Sequence, residues 1–159
     1  MKSLMKQLAS FVLPVIVLLV VPYFIERRIV IKLNLQLFLG LIVILVGLFV
    51  MAQTIWTFIR IGRGTLAPWS PTRKLIIGGM YAYVRNPMIL GVFTVLLGET
   101  LSISSPGILI WALIFFAINT MYFILSEEPG LEKRFGEEYR EYKQNVPRWI
   151  PRWKPYQPE

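Results

Sequence analysis

Four long apolar runs divide this chain and constrain its fold more than any other feature. They cover residues 8–25, 35–59, 88–103 and 107–125, in a chain that is 55% hydrophobic. A helix needs roughly 20 apolar residues to cross the hydrocarbon core of a bilayer. Backbone groups in that core must be satisfied inside helices or closed barrels. The pattern therefore predicts an all-α integral membrane fold with about four transmembrane helices.

Basic residues are distributed unevenly around these runs. If the N-terminus is cytoplasmic, 14 of the 17 Lys and Arg residues lie on the cytoplasmic side. The other three are Arg27, Arg28 and Lys32. The positive-inside rule then predicts a multi-pass protein with both termini and the loop 60–87 in the cytoplasm. The net charge of +8 is explained by this topology, so we expect the lipid bilayer and not nucleic acid as the partner.

The polar C-terminal region has its own pattern. Between residues 130 and 145, apolar side chains recur every three or four positions: Leu131, Phe135, Tyr139 and Tyr142. This spacing predicts a cytoplasmic amphipathic helix. The segment 146–156 carries Trp149, Trp153 and several prolines, which predicts irregular chain along the membrane interface. Residues 61–72 are rich in Gly and Pro and are likewise predicted to be irregular.

Composition narrows the possible chemistry. The chain has no Cys, His or Asp. Disulfides, thiolate nucleophiles, imidazole bases and Cys/His metal sites are therefore excluded, and no metal is expected. Any reaction must use Glu, Tyr, Arg, Lys, backbone groups or a bound cofactor.

Arg85, Asn86 and Pro87 open the third apolar run. Proline suits the first helical position and asparagine is a good cap. The free N–H groups of a helix N-terminus attract anions, and Arg85 adds a planar donor fork. The alternative is a capped helix whose arginine extends to the membrane surface.

Carboxylates lie at the ends of two apolar runs. Glu127 and Glu128 are predicted to end the fourth helix, where the helix dipole disfavours negative charge. They need a basic neighbour such as Arg134, or a cationic ligand. Glu99 lies within the third run, close to its far end, and we expect it to be structural or interfacial.

Three separated blocks give the chain a family resemblance. They are GMYAYVRNPMILG at 79–91, the pair Glu127-Glu128, and FGEEYREYKQNVP at 135–147. In this order and spacing they resemble the isoprenylcysteine carboxyl methyltransferase family, whose wider group includes the phospholipid N-methyltransferases. The resemblance covers residues from about 60 to 150.

The resemblance implies an integral membrane methyltransferase that uses S-adenosylmethionine and acts on a hydrophobic, prenylated or lipid-like acceptor. The family's cofactor contacts fall here on Arg73, Lys74, Leu75, Ile76, Tyr81, Asn86, Pro87, Met88, Ile89 and Glu127. Charge adds two candidates: Arg85 suits the carboxylate of the cofactor, and Glu128 suits its cationic groups. The whole chain, 1–159, then forms one domain. Residues 1–59 form two spanning helices and residues 60–159 form the cofactor-binding core.

Three positions depart from the family pattern. Asn86 replaces the usual His, and Ile89 replaces the usual Tyr. Phe123 stands where the eukaryotic carboxyl methyltransferases have a substrate-binding Arg, so their carboxylate clamp is missing. Two alternatives stay open: a phospholipid N-methyltransferase, and a membrane scaffold or S-adenosylmethionine-binding protein without turnover. No catalytic residue is assigned. For an amine acceptor, Tyr81 or the glutamate pair could remove the proton.

Overall fold

The computed structural model of the protein describes residues 12–27, 33–61 and 74–158. Regular structure in these ranges is helical throughout, which confirms the all-α prediction. There are five helices, with a short 3₁₀ turn before the third: α1 Val12–Ile25, α2 Leu35–Ile61, Gly79–Ala82 (3₁₀), α3 Pro87–Ile103, α4 Pro106–Phe135 and α5 Glu137–Asn145. The predicted irregular segment 61–72 lies almost wholly outside the described residues.

Helices α2 and α4 are long and apolar enough to cross a membrane. Their spanning segments are Leu35–Phe58 and Pro106–Phe135, whereas α1 and α3 are shorter apolar helices. Only 17% of each apolar window is buried within the protein. The core helix of a soluble protein would be mostly buried, so these surfaces are suited to lipid. The structure thus supports two candidate spans out of the four that the sequence predicts.

Two helical turns widen to π geometry, and each lies just before a proline. The turn Ile16–Val20 precedes Pro22 in α1, and the turn Phe123–Glu127 precedes Pro129 in α4. Proline lacks an N–H, and its ring clashes with the carbonyl four residues earlier. A π turn relieves this clash without ending the helix.

Helix α4 therefore continues through the carboxylate pair. The prediction that Glu127 and Glu128 end this helix is wrong, because Glu128 begins a further α-helical segment, Glu128–Phe135. Proline is tolerated near the start of such a segment, so Pro129 did not terminate the helix. This continuation fixes both glutamates on a rigid element.

Helix α1 is held against α4 by polar contacts. In the π turn, the amide of Val21 donates to the Ile16 carbonyl. In a π turn each carbonyl accepts from the amide five residues later. The Val17 carbonyl would therefore need the amide of Pro22, and proline has no N–H. The indole of Trp111 takes that place and donates to the Val17 carbonyl at 3.1 Å. Near the other end of α1, the Ser105 hydroxyl donates to Glu26.

Glycines allow the backbones of α2 and α3 to approach closely. They lie seven residues apart on each helix: Gly40 and Gly47 on α2, and Gly91 and Gly98 on α3. A Cβ atom at Gly47 would lie 2.8 Å from the Gly91 carbonyl, and one at Gly98 would lie 2.8 Å from the Gly40 carbonyl. Small residues at such positions are typical of tightly packed membrane helices.

We expect Gly98→Ala to destabilise the protein by about 1–3 kcal/mol, the usual cost of overpacking. The new methyl group would lie 2.7 Å from the Ile44 amide nitrogen, so the helices would have to separate. Thermal unfolding of the protein in detergent measures the effect. Gly130→Ala is the control, because nothing lies within 4 Å of a Cβ there. An equal loss of stability in both variants would contradict close packing at Gly98.

The C-terminal region forms a compact unit, which we call the C-terminal unit and define as residues 128–158. The single helix predicted for residues 130–145 is wrong, because Gly136 adopts a φ of +57° and separates α4 from α5. Tyr139, Tyr142 and Val146 form its buried centre. The predicted amphipathic spacing still holds, since Leu131 and Phe135 pack against these same residues from the end of α4.

Candidate functional site

The segment before α3 is joined by backbone hydrogen bonds to the chain after α5, residues 146–158, which we call the C-terminal tail. The Arg85 amide donates to the Pro147 carbonyl at 3.0 Å, and the Arg152 amide donates to the Tyr83 carbonyl at 3.0 Å. The Tyr156 amide donates to the Ala82 carbonyl at 2.9 Å. The tail is therefore an ordered part of the site.

Glu128 is the centre of a buried ionic cluster. Arg148 donates to both of its carboxylate oxygens, at 2.6 and 3.0 Å. Arg85 Nη1 lies 3.0 Å from Glu128 Oε1, and Lys143 Nζ lies 3.5 Å from Oε2. The side chain of Glu128 is only 5% exposed. The cluster thus ties α4, α5, the tail and the start of α3 together.

These contacts identify the basic partners that a carboxylate in this helix requires. The sequence suggested Arg134, but Arg134 lies over the ring of Phe135, and the structure places Arg85, Lys143 and Arg148 at Glu128. The hydrogen bond from Arg148 to Glu128 raises the pKa of Arg148 further above its usual range. Arg148 is therefore charged at neutral pH.

Glu127 has different surroundings from its neighbour. Adjacent helical residues point about 100° apart, so the two carboxylates face different directions. Among the described residues, no basic side chain is within ion-pair distance of Glu127. It lies close enough to Tyr81 for its charge to act on the phenol. Glu127 is thus a half-buried carboxylate available to a cationic ligand.

Tyr81 is positioned from the C-terminal unit. The hydroxyl of Tyr142 donates to the Tyr81 backbone carbonyl at 2.8 Å. Burial raises the pKa of the Tyr81 phenol well above its usual value, and the charge of Glu127 raises it further. Tyr81 therefore keeps its proton at neutral pH and has a hydroxyl hydrogen to donate to a ligand.

Asn86 occupies the N-cap position of α3, as the sequence predicts, but its side chain does not cap the helix. Its Nδ2 atom is buried without a hydrogen-bond partner among the described residues. Pro87 follows as the first helical residue and is buried. The prediction of a side-chain cap at Asn86 is therefore wrong, and its amide is free to bind a ligand.

The remaining predicted cofactor residues occupy three kinds of position. Leu75 packs against the centre of the C-terminal unit, and Ile76 is buried. Met88 and Ile89 pack against the core of the helical bundle. Lys74 is exposed. Arg73 lies outside the described residues.

An aromatic cluster that the sequence analysis missed includes Phe123, one helical turn before Glu127. The ring of Trp149, in the tail, lies 4.7 Å from Phe116 and 5.9 Å from Phe123. Phe116 also lies 4.7 Å from Phe93 on α3. These four residues, the aromatic wall, join α3, α4 and the tail. They give an apolar ligand a surface beside the charged groups.

Several buried donors at the start of α3 and in the tail lack hydrogen-bond acceptors among the described residues. They are Arg85 Nε and Nη1, Asn86 Nδ2, Trp149 Nε1 and Arg152 Nη1, of which Arg85 Nη1 is ion-paired with Glu128 at 3.0 Å. A buried donor left without a partner is costly, and a bound ligand would supply the missing acceptors. S-adenosylmethionine fits this set: its carboxylate needs donors, and its ammonium and sulfonium groups need a carboxylate such as Glu127.

Glu99 lies within α3, away from the cluster at Glu128. It is partly buried, and its Oε2 atom has no hydrogen-bond partner in the part of the chain that the structure describes. No contact joins it to Tyr81, Arg85 or Glu127 there. The expectation of a structural or interfacial role stays a prediction.

Comparison with known proteins gives one family and several partial relatives. The model of the phospholipid methyltransferase family matches residues 35–138, more than half of the chain. The chain is 35% identical over 80 residues to the protein-S-isoprenylcysteine O-methyltransferase of Schizosaccharomyces pombe, covering 48% of this chain and 33% of that enzyme. The Homo sapiens enzyme of the same name is 34% identical over 88 residues, covering 52% and 29%.

A third relative is shorter. A Haemophilus influenzae protein described as uncharacterized is 38% identical over 63 residues, covering 40% of this chain and all of that protein. The match to the two methyltransferases spans about a third of their length. No solved structure matches the chain.

Proposed function

The chain belongs to the phospholipid methyltransferase family, and on that premise we propose that it is an S-adenosylmethionine-dependent membrane methyltransferase. It resembles isoprenylcysteine carboxyl methyltransferase and acts on a hydrophobic or lipid-like acceptor. One observation carries the proposal: Glu127 is a carboxylate that has no basic partner among the described residues and acts electrostatically on the protonated Tyr81, while donors before α3 and in the tail lack acceptors there. This arrangement suits a ligand with positive and negative groups.

Each end of the cofactor has matching residues. Glu127 would bind its cationic groups, and Arg85, whose Nε atom has no acceptor among the described residues, would bind its carboxylate. Asn86 is a further predicted contact of the cofactor. The other predicted contacts come from two stretches: Lys74, Leu75 and Ile76 before the 3₁₀ turn, and Pro87, Met88 and Ile89 at the start of α3. Glu128 positions Arg85 and Arg148 through its ion pairs.

When bound, S-adenosylmethionine supplies a methyl group already activated by its sulfonium. The protein then has to align donor and acceptor and exclude water. The aromatic wall provides the apolar surface for the acceptor. If the acceptor is an amine, its proton must be removed, and Glu127 is the best placed base. Glu128 is engaged by three basic residues, and Tyr81 stays protonated.

We place this site at the cytoplasmic surface of a multi-pass protein with about four spans. The candidate spans α2 and α4 support this topology. The shorter helices α1 and α3 are apolar as well, and they pack against α4 and α2 respectively. The distribution of Lys and Arg supports cytoplasmic termini.

Incubation of membranes containing the protein with radiolabelled S-adenosylmethionine tests the function. We expect label in a lipid or hydrophobic acceptor and release of S-adenosylhomocysteine. Label in a phosphatidylethanolamine-type amine would identify a phospholipid N-methyltransferase, the alternative that the family description also allows. Tight cofactor binding without S-adenosylhomocysteine would contradict turnover and indicate a binding protein.

A further inference from the structure

The C-terminal tail contributes donors that none of the predicted cofactor residues accounts for. Trp149 Nε1 and Arg152 Nη1 are buried, and neither has an acceptor among the described residues. Asn86 Nδ2, at the start of α3, is also buried and has no acceptor among the described residues. All of these orphaned atoms are donors, so the missing partner is an acceptor.

Backbone pairing makes neighbours of the two segments that carry these donors. The Arg85–Pro147 and Arg152–Tyr83 hydrogen bonds align residues 83–86 with residues 147–152. Trp149 lies within the second stretch, and its ring is fixed against Phe116. The donors are thus held by ordered backbone and packed rings.

Charge indicates which acceptor is missing. Arg85 is already paired with Glu128 at 3.0 Å. Arg152, in contrast, has no carboxylate within ion-pair distance in the described part of the chain. Arg152 is half-buried, and its buried Nη1 atom has no acceptor among the described residues. A charged donor in this position favours an anionic partner over a neutral one. Carboxylate and phosphate are the groups that such a donor set recognises.

We propose that Asn86, Trp149 and Arg152 form an anion-binding site for the carboxylate or phosphate group of a ligand. The inference deepens the proposed function and rests on it, since the ligand is taken to be a reactant of methyl transfer. The anion is either the carboxylate of S-adenosylmethionine or the polar head of an amphiphilic acceptor. An acceptor would lay its apolar part along the aromatic wall, which shares Trp149 with this site.

Two variants remove donors with little change in packing. Trp149→Phe removes the indole N–H and keeps an aromatic ring against Phe116, while Arg152→Gln removes the charge. Lys154→Gln is the matched control, because it removes an exposed positive charge from the same tail. Thermal unfolding of each variant checks that the fold is kept.

The cofactor arm compares S-adenosylmethionine with its decarboxylated analogue. If the cofactor supplies the anion, Trp149→Phe and Arg152→Gln should each weaken S-adenosylmethionine binding about tenfold, the effect of losing a hydrogen bond to a charged group. Binding of the decarboxylated analogue should stay unchanged. Lys154→Gln should bind both ligands as the wild type does.

The acceptor arm uses dodecyl phosphate and dodecanol as matched anionic and neutral probes in nanodiscs. If the acceptor supplies the anion, dodecyl phosphate should stabilise the wild type more than dodecanol does. Both variants should lose this preference while binding S-adenosylmethionine normally.

The inference is overturned if both variants keep the wild-type preference for S-adenosylmethionine over its analogue and for dodecyl phosphate over dodecanol. Absence of a preference for the anionic ligand in both arms of the wild type would overturn it equally. Failure of the wild type to bind S-adenosylmethionine would instead overturn the proposed function, and the dodecyl phosphate arm would still decide the anion site.

Discussion

Glu127→Gln is expected to weaken S-adenosylmethionine binding by about 10- to 100-fold, the range for losing a charge-assisted contact. The carboxylate has no basic partner among the described residues, so its charge is available to the ligand. For the same reason its removal leaves no protein cation unpaired, and the melting temperature should change little. Isothermal titration of detergent-solubilised protein measures the affinity.

Glu138→Gln is the control for this prediction. Glu138 is an exposed glutamate on α5, so its replacement makes the same change of charge outside the site. We expect its cofactor affinity to equal that of the wild type. Unchanged affinity in Glu127→Gln would remove Glu127 from the site.

Glu128→Gln should act mainly on stability instead of cofactor affinity, with a loss of about 3 kcal/mol in the free energy of unfolding. Breaking a buried ion pair from one side leaves the remaining charges uncompensated, which is strongly destabilising. Here the charges left are Arg85, only 10% exposed, Arg148, 25% exposed, and the more exposed Lys143. Thermal unfolding and limited proteolysis of the C-terminal unit measure the loss.

The two adjacent glutamates thus provide a matched pair of variants with the same chemical change. We expect Glu127→Gln to act on binding and Glu128→Gln to act on stability, with weaker binding in the second only as a consequence of lost order. If Glu128→Gln melts like the wild type and loses only affinity, Glu128 would be a direct ligand and not a positioning residue.

Much of the fold could be predicted from local features of the sequence. The lengths of the apolar runs predicted the four helices α1 to α4. For example, α3 begins at Pro87, one residue before the predicted run. The close contact between α2 and α3 was missed, although a signal existed in the seven-residue spacing of Gly40 and Gly47 opposite Gly91 and Gly98. That spacing has meaning only once the two helices are known to be neighbours.

The site was predictable in part. The family-like blocks predicted a site around Tyr81, Arg85 and Glu127, and the structure brings Tyr81 and Glu127 within electrostatic reach of each other. The pairing of the tail segment that carries Trp149 and Arg152 with residues 83–85 was not predicted, because an irregular tail gives no periodic signal that would show which segment it pairs with. Asn86 was placed correctly at the N-cap, but only the structure shows that its amide does not cap the helix.

The helical fold, the positions of α1 to α3 and the start of α4 followed from the lengths of the apolar runs, because apolar length is a local property of the chain. The packing of distant segments alone separates the surroundings of Glu127 from those of Glu128. That separation depends on a π turn before Pro129 that carries α4 past both carboxylates, and on Arg148, which reaches Glu128 from 20 residues away. Contacts between such distant residues follow from the packing of whole segments, which local patterns do not encode.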